Sequence, residues 1–232
     1  MTQARSPLSA HHTVRAAGLL FGVLSAGHLA AQLTGAAGVA QLTQVLLMPV
    51  LAAAVWFATA GARPRSRLVR LVLVALGFSW LGDSVPGLFT GDARFLTMVG
   101  LFLCAQIAYA VGFWPVRRRS VLRRPALAWY VLAFAALLAA CAPGAGDLLV
   151  PVVGYGLCLT FMAVLATGVN LTATIGGAVF FVSDGLIALG AFAGWYDPPA
   201  PGFWVMSTYL VGQAMIAAGV VRAHSDEAAP IA

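Results

Sequence analysis

Two aspartates, Asp83 and Asp184, lie inside long apolar stretches of this chain. A carboxylate at membrane depth is costly, so such residues are rare and usually serve a function. Two carboxyl groups that share an apolar site can differ in protonation, because burial and a neighbouring charge both disfavour a second ionised group. One member can then donate a proton while the other accepts one. The pair therefore indicates general acid/base chemistry inside a membrane.

Other polar residues of the apolar stretches are expected to accompany the aspartates. Ser79 lies one helical turn before Asp83, and Ser183 adjoins Asp184. None of these groups prefers lipid, so all should point into a helical bundle. Further candidates for substrate binding or for support of the aspartates are His28, Gln106, Tyr109, Tyr155, Tyr209 and Gln213. The alternative is that these side chains only hydrogen-bond one helix to another.

The composition is that of a membrane protein. Of the 232 residues, 61% are hydrophobic and 9% are charged, whereas soluble domains carry roughly 25% charged residues. The net charge of +6 comes from arginines in short clusters between apolar runs, so we expect no nucleic-acid partner. The three cysteines have no CxxC spacing and are expected to pack as small apolar residues.

Eight apolar runs are each long enough, or nearly so, for a membrane span of about 20 residues. They predict an all-α, polytopic bundle of eight transmembrane helices. The runs cover residues 14–33, 40–60, 68–89, 95–113, 126–142, 148–167, 174–194 and 203–221. Residues 1–13 and 222–232 are predicted to be cytoplasmic tails on either side of the membrane domain 14–221.

The arginines predict the orientation. With eight spans, 12 of the 13 arginines fall on the side that holds both termini, and Arg94 alone falls on the other side. The positive-inside rule then places both termini in the cytoplasm. The 12 arginines are Arg5, Arg15, Arg63, Arg65, Arg67, Arg70, Arg117, Arg118, Arg119, Arg123, Arg124 and Arg222. We expect a multi-pass protein of a bacterial inner membrane.

Similar segments in the two halves of the chain indicate an internal repeat. Leu46–Val50 resembles Leu148–Val152, and Gly82-Asp83-Ser84 matches Ser183-Asp184-Gly185 in reverse order. Gln106 of the fourth run has a counterpart in Gln213 of the eighth run. Four spans in each half would make the repeat a parallel 4+4 duplication. This duplication would place one aspartate of each half at a similar depth.

Several of these segments resemble the YhhN family of integral-membrane lysoplasmalogenases. Phe78-Ser79 with Gly82-Asp83 resembles the family's FSxxGD signature, and Gly176–Asp184 resembles its second signature, which ends in Ser-Asp. Pro151–Tyr155 and Thr208–Gln213 are similar to its PVxxY and TYxxxQ segments. The resemblance extends from the second run to the eighth.

The resemblance implies hydrolysis of the vinyl-ether bond of lysoplasmalogens, with a fatty aldehyde and a glycerophospho-base as products. Asp83 and Asp184 would be the catalytic acid and base, in an order that the sequence leaves open. The substrate would be a lysophospholipid taken from the bilayer. Two departures from the family pattern concern Met48, where a Lys is usual, and Gln106, where a His is usual. If that Lys or His serves catalysis, the substrate or the activity differs here.

Two other classes of function stay open at this point. A parallel repeat with intramembrane carboxylates is also typical of proton-coupled or small-solute transporters, and a non-catalytic lipid-binding protein is the third possibility. A pocket open to lipid would favour a hydrolase, and a continuous polar path would favour transport. The four histidines lack metal-ligand spacing, so we expect no metal and no cofactor. The oligomeric state is open.

Overall fold

The chain folds as a bundle of long helices. The computed structural model describes residues 7–61 and 64–228, and within them the chain forms eight α-helices, short 3₁₀ turns and no strand. The α-helices are α1 (Pro7–Thr34), α2 (Ala37–Ala58), α3 (Arg67–Ser84), α4 (Gly91–Phe113), α5 (Leu127–Ala145), α6 (Leu149–Ala166), α7 (Leu171–Phe192) and α8 (Pro201–Ala228). Each predicted run overlaps one of these helices, and the all-α prediction is confirmed.

In the described part of the chain, seven helical segments are long and apolar enough to cross a membrane. One of them, Leu127–Ala166, is a 40-residue stretch that contains both α5 and α6. The two helices are separated by a 3₁₀ turn at Gly146–Leu148, where Gly146 has a φ of +48°. They fold back on each other, since the Phe134 ring of α5 packs against Gly156 of α6. The chain is thus an integral, multi-pass membrane protein.

Successive helices alternate in direction and define two ends of the bundle, because short connections join them and every successive pair except α4 and α5 packs together. We call the end that holds the α2–α3, α4–α5 and α6–α7 connections the proximal end, and the opposite end the distal end. Arg5 and Arg63, two of the arginines used to predict the orientation, lie outside the described residues. The first and the last helix, α1 and α8, are longer than the spans predicted at 14–33 and 203–221. Both α1 and α8 continue into polar sequence that water can solvate.

Glycines bring α7 and α8 into backbone contact. A Cβ atom at Gly176 would lie 2.7 Å from the backbone nitrogen of Ile216, and one at Gly212 would lie 2.9 Å from that of Phe180. Small residues at such positions let membrane helices approach closely. Asn170 joins the two helices at the proximal end. It caps α7 by accepting from the Ala173 amide at 3.0 Å, and it donates to the Gly219 carbonyl of α8 at 2.8 Å.

Candidate active site: two carboxyl–phenol pairs

Asp83 is half-buried in the last turn of α3, and its carboxyl group is bonded to a phenol from the other half of the chain. The Tyr209 hydroxyl of α8 donates to Asp83 Oδ2 at 2.9 Å. The Gln44 side chain of α2 also faces this carboxyl group. Three helices therefore meet at Asp83 and give it polar neighbours.

Asp184 forms the second carboxyl–phenol pair. It lies on α7, is 9% exposed, and accepts a hydrogen bond at Oδ2 from the Tyr155 hydroxyl of α6. Asp184 lies eight residues before the end of α7 at Phe192, and Tyr155 lies six residues after the start of α6 at Leu149. Both carboxyl–phenol pairs are thus in the distal half of the bundle. The two carboxyl groups are close enough to interact electrostatically.

An apolar cavity opens at the Asp184–Tyr155 pair. Its volume is about 60 Å³, several times the roughly 10–15 Å³ that one water needs. Apart from Asp184 and Tyr155, every lining residue is apolar or a glycine, except for the Cys141 thiol. The apolar lining residues come from α4, α5, α6 and α7 and include Met98, Phe102, Phe134, Leu137, Leu159 and Ile187. The cavity is therefore almost wholly apolar, with polar groups where Asp184 and Tyr155 meet it.

The helices around this cavity differ in how closely they pack on one another. Helix α4 packs closely on α6 but not on α5 or α7. On the α7 side, Phe95 and Phe192 close the distal edge through an edge-to-face contact, with ring centroids 5.3 Å apart. Between α4 and α5 the cavity is bounded only by side chains such as Met98 and Leu138, which are half-buried.

A buried hydrogen-bond chain lies behind the Asp83–Tyr209 pair. The Tyr109 hydroxyl donates to Gln213 Oε1 at 2.5 Å, and Gln213 Nε2 donates to Ser79 Oγ at 3.0 Å. Ser79, Tyr109 and Gln213 are each fully buried. These hydrogen bonds join α3, α4 and α8 one turn proximal to Asp83. They hold the three helices in the rotation that brings Asp83 and Tyr209 together.

A model of a known protein family matches most of this sequence. The model of the YhhN family matches residues 39–220, which is 182 of the 232 residues. The chain belongs to the YhhN family. The matched region contains both carboxyl–phenol pairs and the whole cavity lining. Neither the curated proteins nor the solved structures gave a match.

Gln106 is the unusual group of this YhhN site. It is fully buried on α4, and neither its Nε2 nor its Oε1 has a hydrogen-bond partner. The amide faces the Tyr155 hydroxyl, but the two groups do not meet the geometry of a hydrogen bond. An unpartnered buried amide is costly and calls for an explanation. Its place beside Tyr155 keeps it among the candidate site residues.

His28 and Ser183 have local partners away from the carboxyl groups. His28 Nδ1 is 2.9 Å from Thr43 Oγ1 and 3.1 Å from the Ala40 carbonyl oxygen, both on α2. His28 belongs to α1 and precedes the region that the YhhN model matches. Ser183 Oγ donates to the Val205 carbonyl at 3.0 Å and so joins α7 to α8. The assignment of these two residues to the site stays a prediction.

Two contributors to the site were missed by the sequence analysis. Gln44 faces Asp83, and its position one turn before Met48 on α2 was the available signal. Phe102 lies between the two pairs. Its ring packs edge-to-face on Tyr209 with centroids 5.8 Å apart, and it also lines the cavity. Nothing in the apolar sequence distinguishes Phe102 from a lipid-facing residue.

No metal centre is present among residues 7–61 and 64–228, because nowhere do three His, Cys, Asp or Glu side chains gather as ligands. What the arrangement can do chemically is transfer protons. Each carboxyl group accepts one phenol hydrogen bond on Oδ2, and a carboxyl group has further lone pairs with which to meet a reacting group.

Proposed function

We propose that this YhhN-family chain is a lysoplasmalogenase-like hydrolase, which cleaves the vinyl-ether bond of a lysoplasmalogen into a fatty aldehyde and a glycerophospho-base. The observation that carries the proposal is the Asp184–Tyr155 pair at the wall of an otherwise apolar cavity. A hydrocarbon chain fills such a cavity without desolvating polar groups. The vinyl ether at the end of that chain would then lie against a carboxyl group.

The apolar lining also argues against a transport function. A transported ion or polar solute needs polar groups along its path. The cavity offers polar groups only where Asp184 and Tyr155 meet it, beside the single thiol of Cys141. The side chains of the buried hydrogen-bond chain from Tyr109 to Ser79 bond to one another, so they do not offer a path to a polar solute.

Asp184 is the proposed proton donor. A charge is costly in apolar surroundings, so a carboxyl group at the cavity wall favours its neutral form. Its proton on Oδ1 is transferred to the β-carbon of the vinyl ether. The electrons of the double bond form the new C–H bond and leave an oxocarbenium ion at the carbon attached to the ether oxygen. Asp184 is left as a carboxylate.

Asp83 is the proposed base and the stabiliser of the cation. The hydrogen bond from the Tyr209 hydroxyl and the nearby dipole of the Gln44 amide favour its ionised form. Water adds to the oxocarbenium carbon and passes a proton to Asp83. In the collapse of the hemiacetal, the Asp184 carboxylate takes the proton of the hemiacetal hydroxyl, and Asp83 gives its proton to the glycerol oxygen as the bond from carbon to that oxygen breaks. The aldehyde and the glycerophospho-base are released, and both carboxyl groups return to their starting states. This division follows the logic of carboxyl pairs in glycoside hydrolysis.

We further propose the eight-span topology for this fold, with both termini in the cytoplasm of a bacterial inner membrane and two parallel four-helix halves. The antiparallel packing of α5 on α6 supports counting Leu127–Ala166 as two spans. Arg65, Arg67, Arg70 and Arg117–Arg119 all lie at the proximal end, in accord with the positive-inside rule. The active site would then lie in the outer half of the membrane.

The test is an assay of purified protein with lysoplasmalogen, in which free aldehyde is measured. The matched substrate control is the alkyl-ether lysolipid of equal chain length, which lacks the double bond that is protonated and should give no aldehyde. Asp83→Asn and Asp184→Asn should each lose activity, whereas Asp92→Asn, at an exposed carboxyl group of the distal end, should keep it. Full aldehyde release from both folded site variants would exclude the two-carboxyl mechanism. Absence of release from the wild type would exclude the substrate.

A further inference from the structure

A second groove lies at the proximal end, on the lipid-facing surface of the bundle. It is lined by five residues from three helices and the turn that follows α4. They are Arg67 of α3, Ala110 and Val111 of α4, Trp114 directly after α4, and Phe161 of α6. The groove has a volume of about 160 Å³. Both carboxyl–phenol pairs lie in the opposite, distal half of the bundle, so this groove is separate from the candidate active site.

The groove combines an apolar floor with a cationic rim. Val111, Trp114 and Phe161 are 38%, 45% and 37% exposed, and the Trp114 and Phe161 ring centroids are 6.0 Å apart. Arg67 is the exposed first residue of α3. A second guanidinium, that of Arg117, lies outside the lining but 4.5 Å from the centroid of the ring of Trp114, which does line the groove.

Arg117 is held in place by more than the ring. Its Nη1 donates to the Trp114 carbonyl at 3.1 Å, which fixes the guanidinium above the indole and leaves other N–H donors available. The start of α3 adds to the positive potential at Arg67, since a helix N-terminus carries a partial positive charge. Ser66 caps α3 by accepting from the Val69 amide at 3.4 Å.

The charge distribution of the chain selects the occupant. Five of the seven acidic residues, Asp83, Asp92, Asp147, Asp184 and Asp197, lie in the distal half. Guanidinium groups bind phosphate with paired hydrogen bonds, and tryptophan rings sit at the level of lipid headgroups. Basic pockets between membrane helices bind anionic headgroups. We propose that this groove is a binding site for an anionic phospholipid, with the phosphodiester at Arg67 and Arg117 and an acyl chain along Val111 and Phe161.

The test is native mass spectrometry of the full chain in detergent, titrated with phosphatidylglycerol or with phosphatidylcholine of the same acyl chains. The wild type should bind the first phosphatidylglycerol at least about tenfold more tightly than the first phosphatidylcholine. The double variant R67Q/R117Q should lose this preference. The matched control R123Q/R124Q removes the same charge from exposed arginines of the same α4–α5 connection and should keep it.

Two further measurements make the result decisive. Val111→Trp fills the groove without changing charge, so it should also abolish the preference, even if R67Q/R117Q does not fold. Soluble glycerol 1-phosphate supplies the headgroup without a chain and should fail to compete. The proposal is overturned if the wild type shows no preference, or if R123Q/R124Q loses the preference as fully as R67Q/R117Q. It is also overturned if Val111→Trp keeps it, or if the soluble phosphate displaces the lipid.

Discussion

The two carboxyl–phenol pairs of this protein are alike in their chemistry and differ in their surroundings. Tyr209 bonds to Asp83 and Tyr155 bonds to Asp184, each at Oδ2. Asp83 has the Gln44 amide beside it and a buried hydrogen-bond chain behind it. Asp184 instead lines an apolar cavity. The same pair of groups thus has polar surroundings once and apolar surroundings once. The proposed assignment of one carboxyl group as the acid and the other as the base rests on this difference.

The largest expected effect comes from removing the carboxyl groups. Asp184→Asn and Asp83→Asn should each lower the rate of aldehyde release by about 10²- to 10⁴-fold, the usual contribution of a general acid or base. The two variants should differ when incubated in D₂O. Asp83→Asn keeps the proton donor, so recovered substrate should carry deuterium on the β-carbon. Asp184→Asn should show no such exchange, and exchange in Asp184→Asn but not in Asp83→Asn would reverse the roles.

Removing each phenol hydroxyl should show which of the two hydrogen bonds contributes more to kcat. A hydrogen bond to a charged group contributes roughly 1.5–3 kcal/mol and one between neutral groups roughly 0.5–1.5 kcal/mol. If Asp83 is the ionised partner, Tyr209→Phe should lower kcat by about 10- to 100-fold, and Tyr155→Phe by about 2- to 10-fold. Steady-state kinetics of both variants measures this order. A larger effect from Tyr155→Phe would contradict the assignment of charge.

Filling the cavity beside Asp184 should weaken substrate binding and leave the Asp83–Tyr209 pair unchanged. Ala188 lines the cavity on α7, and Ala188→Phe should raise KM for a long-chain substrate roughly tenfold while kcat changes little, because uniform binding is lost. The control is Ala191→Phe, at an exposed position of the same helix outside the lining. Equal effects from both variants would show that the cavity does not hold the hydrocarbon chain.

The smallest effects concern two buried glutamines on opposite sides of the site. Gln213→Leu leaves the Tyr109 hydroxyl without its acceptor and should lower the free energy of unfolding by about 1–3 kcal/mol. Gln106→Leu removes an amide that has no partner, so it should be neutral or stabilise the fold by about 1 kcal/mol. Thermal unfolding of both variants in the same detergent measures the contrast. A strong loss of stability from Gln106→Leu would mean that its amide has a partner in the folded protein.

The helical architecture and the aspartates were accessible from sequence because both have strong local signals. Apolar runs of about 20 residues locate the helices, and a carboxyl group inside such a run is conspicuous. The runs do not show that α1 begins as early as Pro7 or that α8 continues to Ala228, because those extensions are polar. The fifth and sixth apolar runs were predicted at residues 126–142 and 148–167, and the turn that separates α5 from α6 occurs at Gly146–Leu148. These features depend on neighbouring residues only.

The pairing of the side chains was not accessible in the same way. The bond between Tyr209 and Asp83 joins residues 126 positions apart, and nothing in the spacing of either segment selects that partner. The cavity was invisible for a different reason. In a membrane protein the lipid-facing and the cavity-facing positions are both apolar, so Phe102 and Leu137 look in sequence like Leu132, which is exposed.

The glycines between α7 and α8 set how far apart these two helices lie, and so affect the spacing of the site although they carry no functional side chain. Asp184 is carried by α7 and Tyr209 by α8, and these two helices touch through Gly176 and Gly212 with no room for a methyl group. The distance between the two carboxyl–phenol pairs therefore depends on the backbone contact between α7 and α8. A single added carbon at Gly176, two turns from Asp184, would force the two helices apart, so the geometry of the site also depends on positions that carry no reactive group.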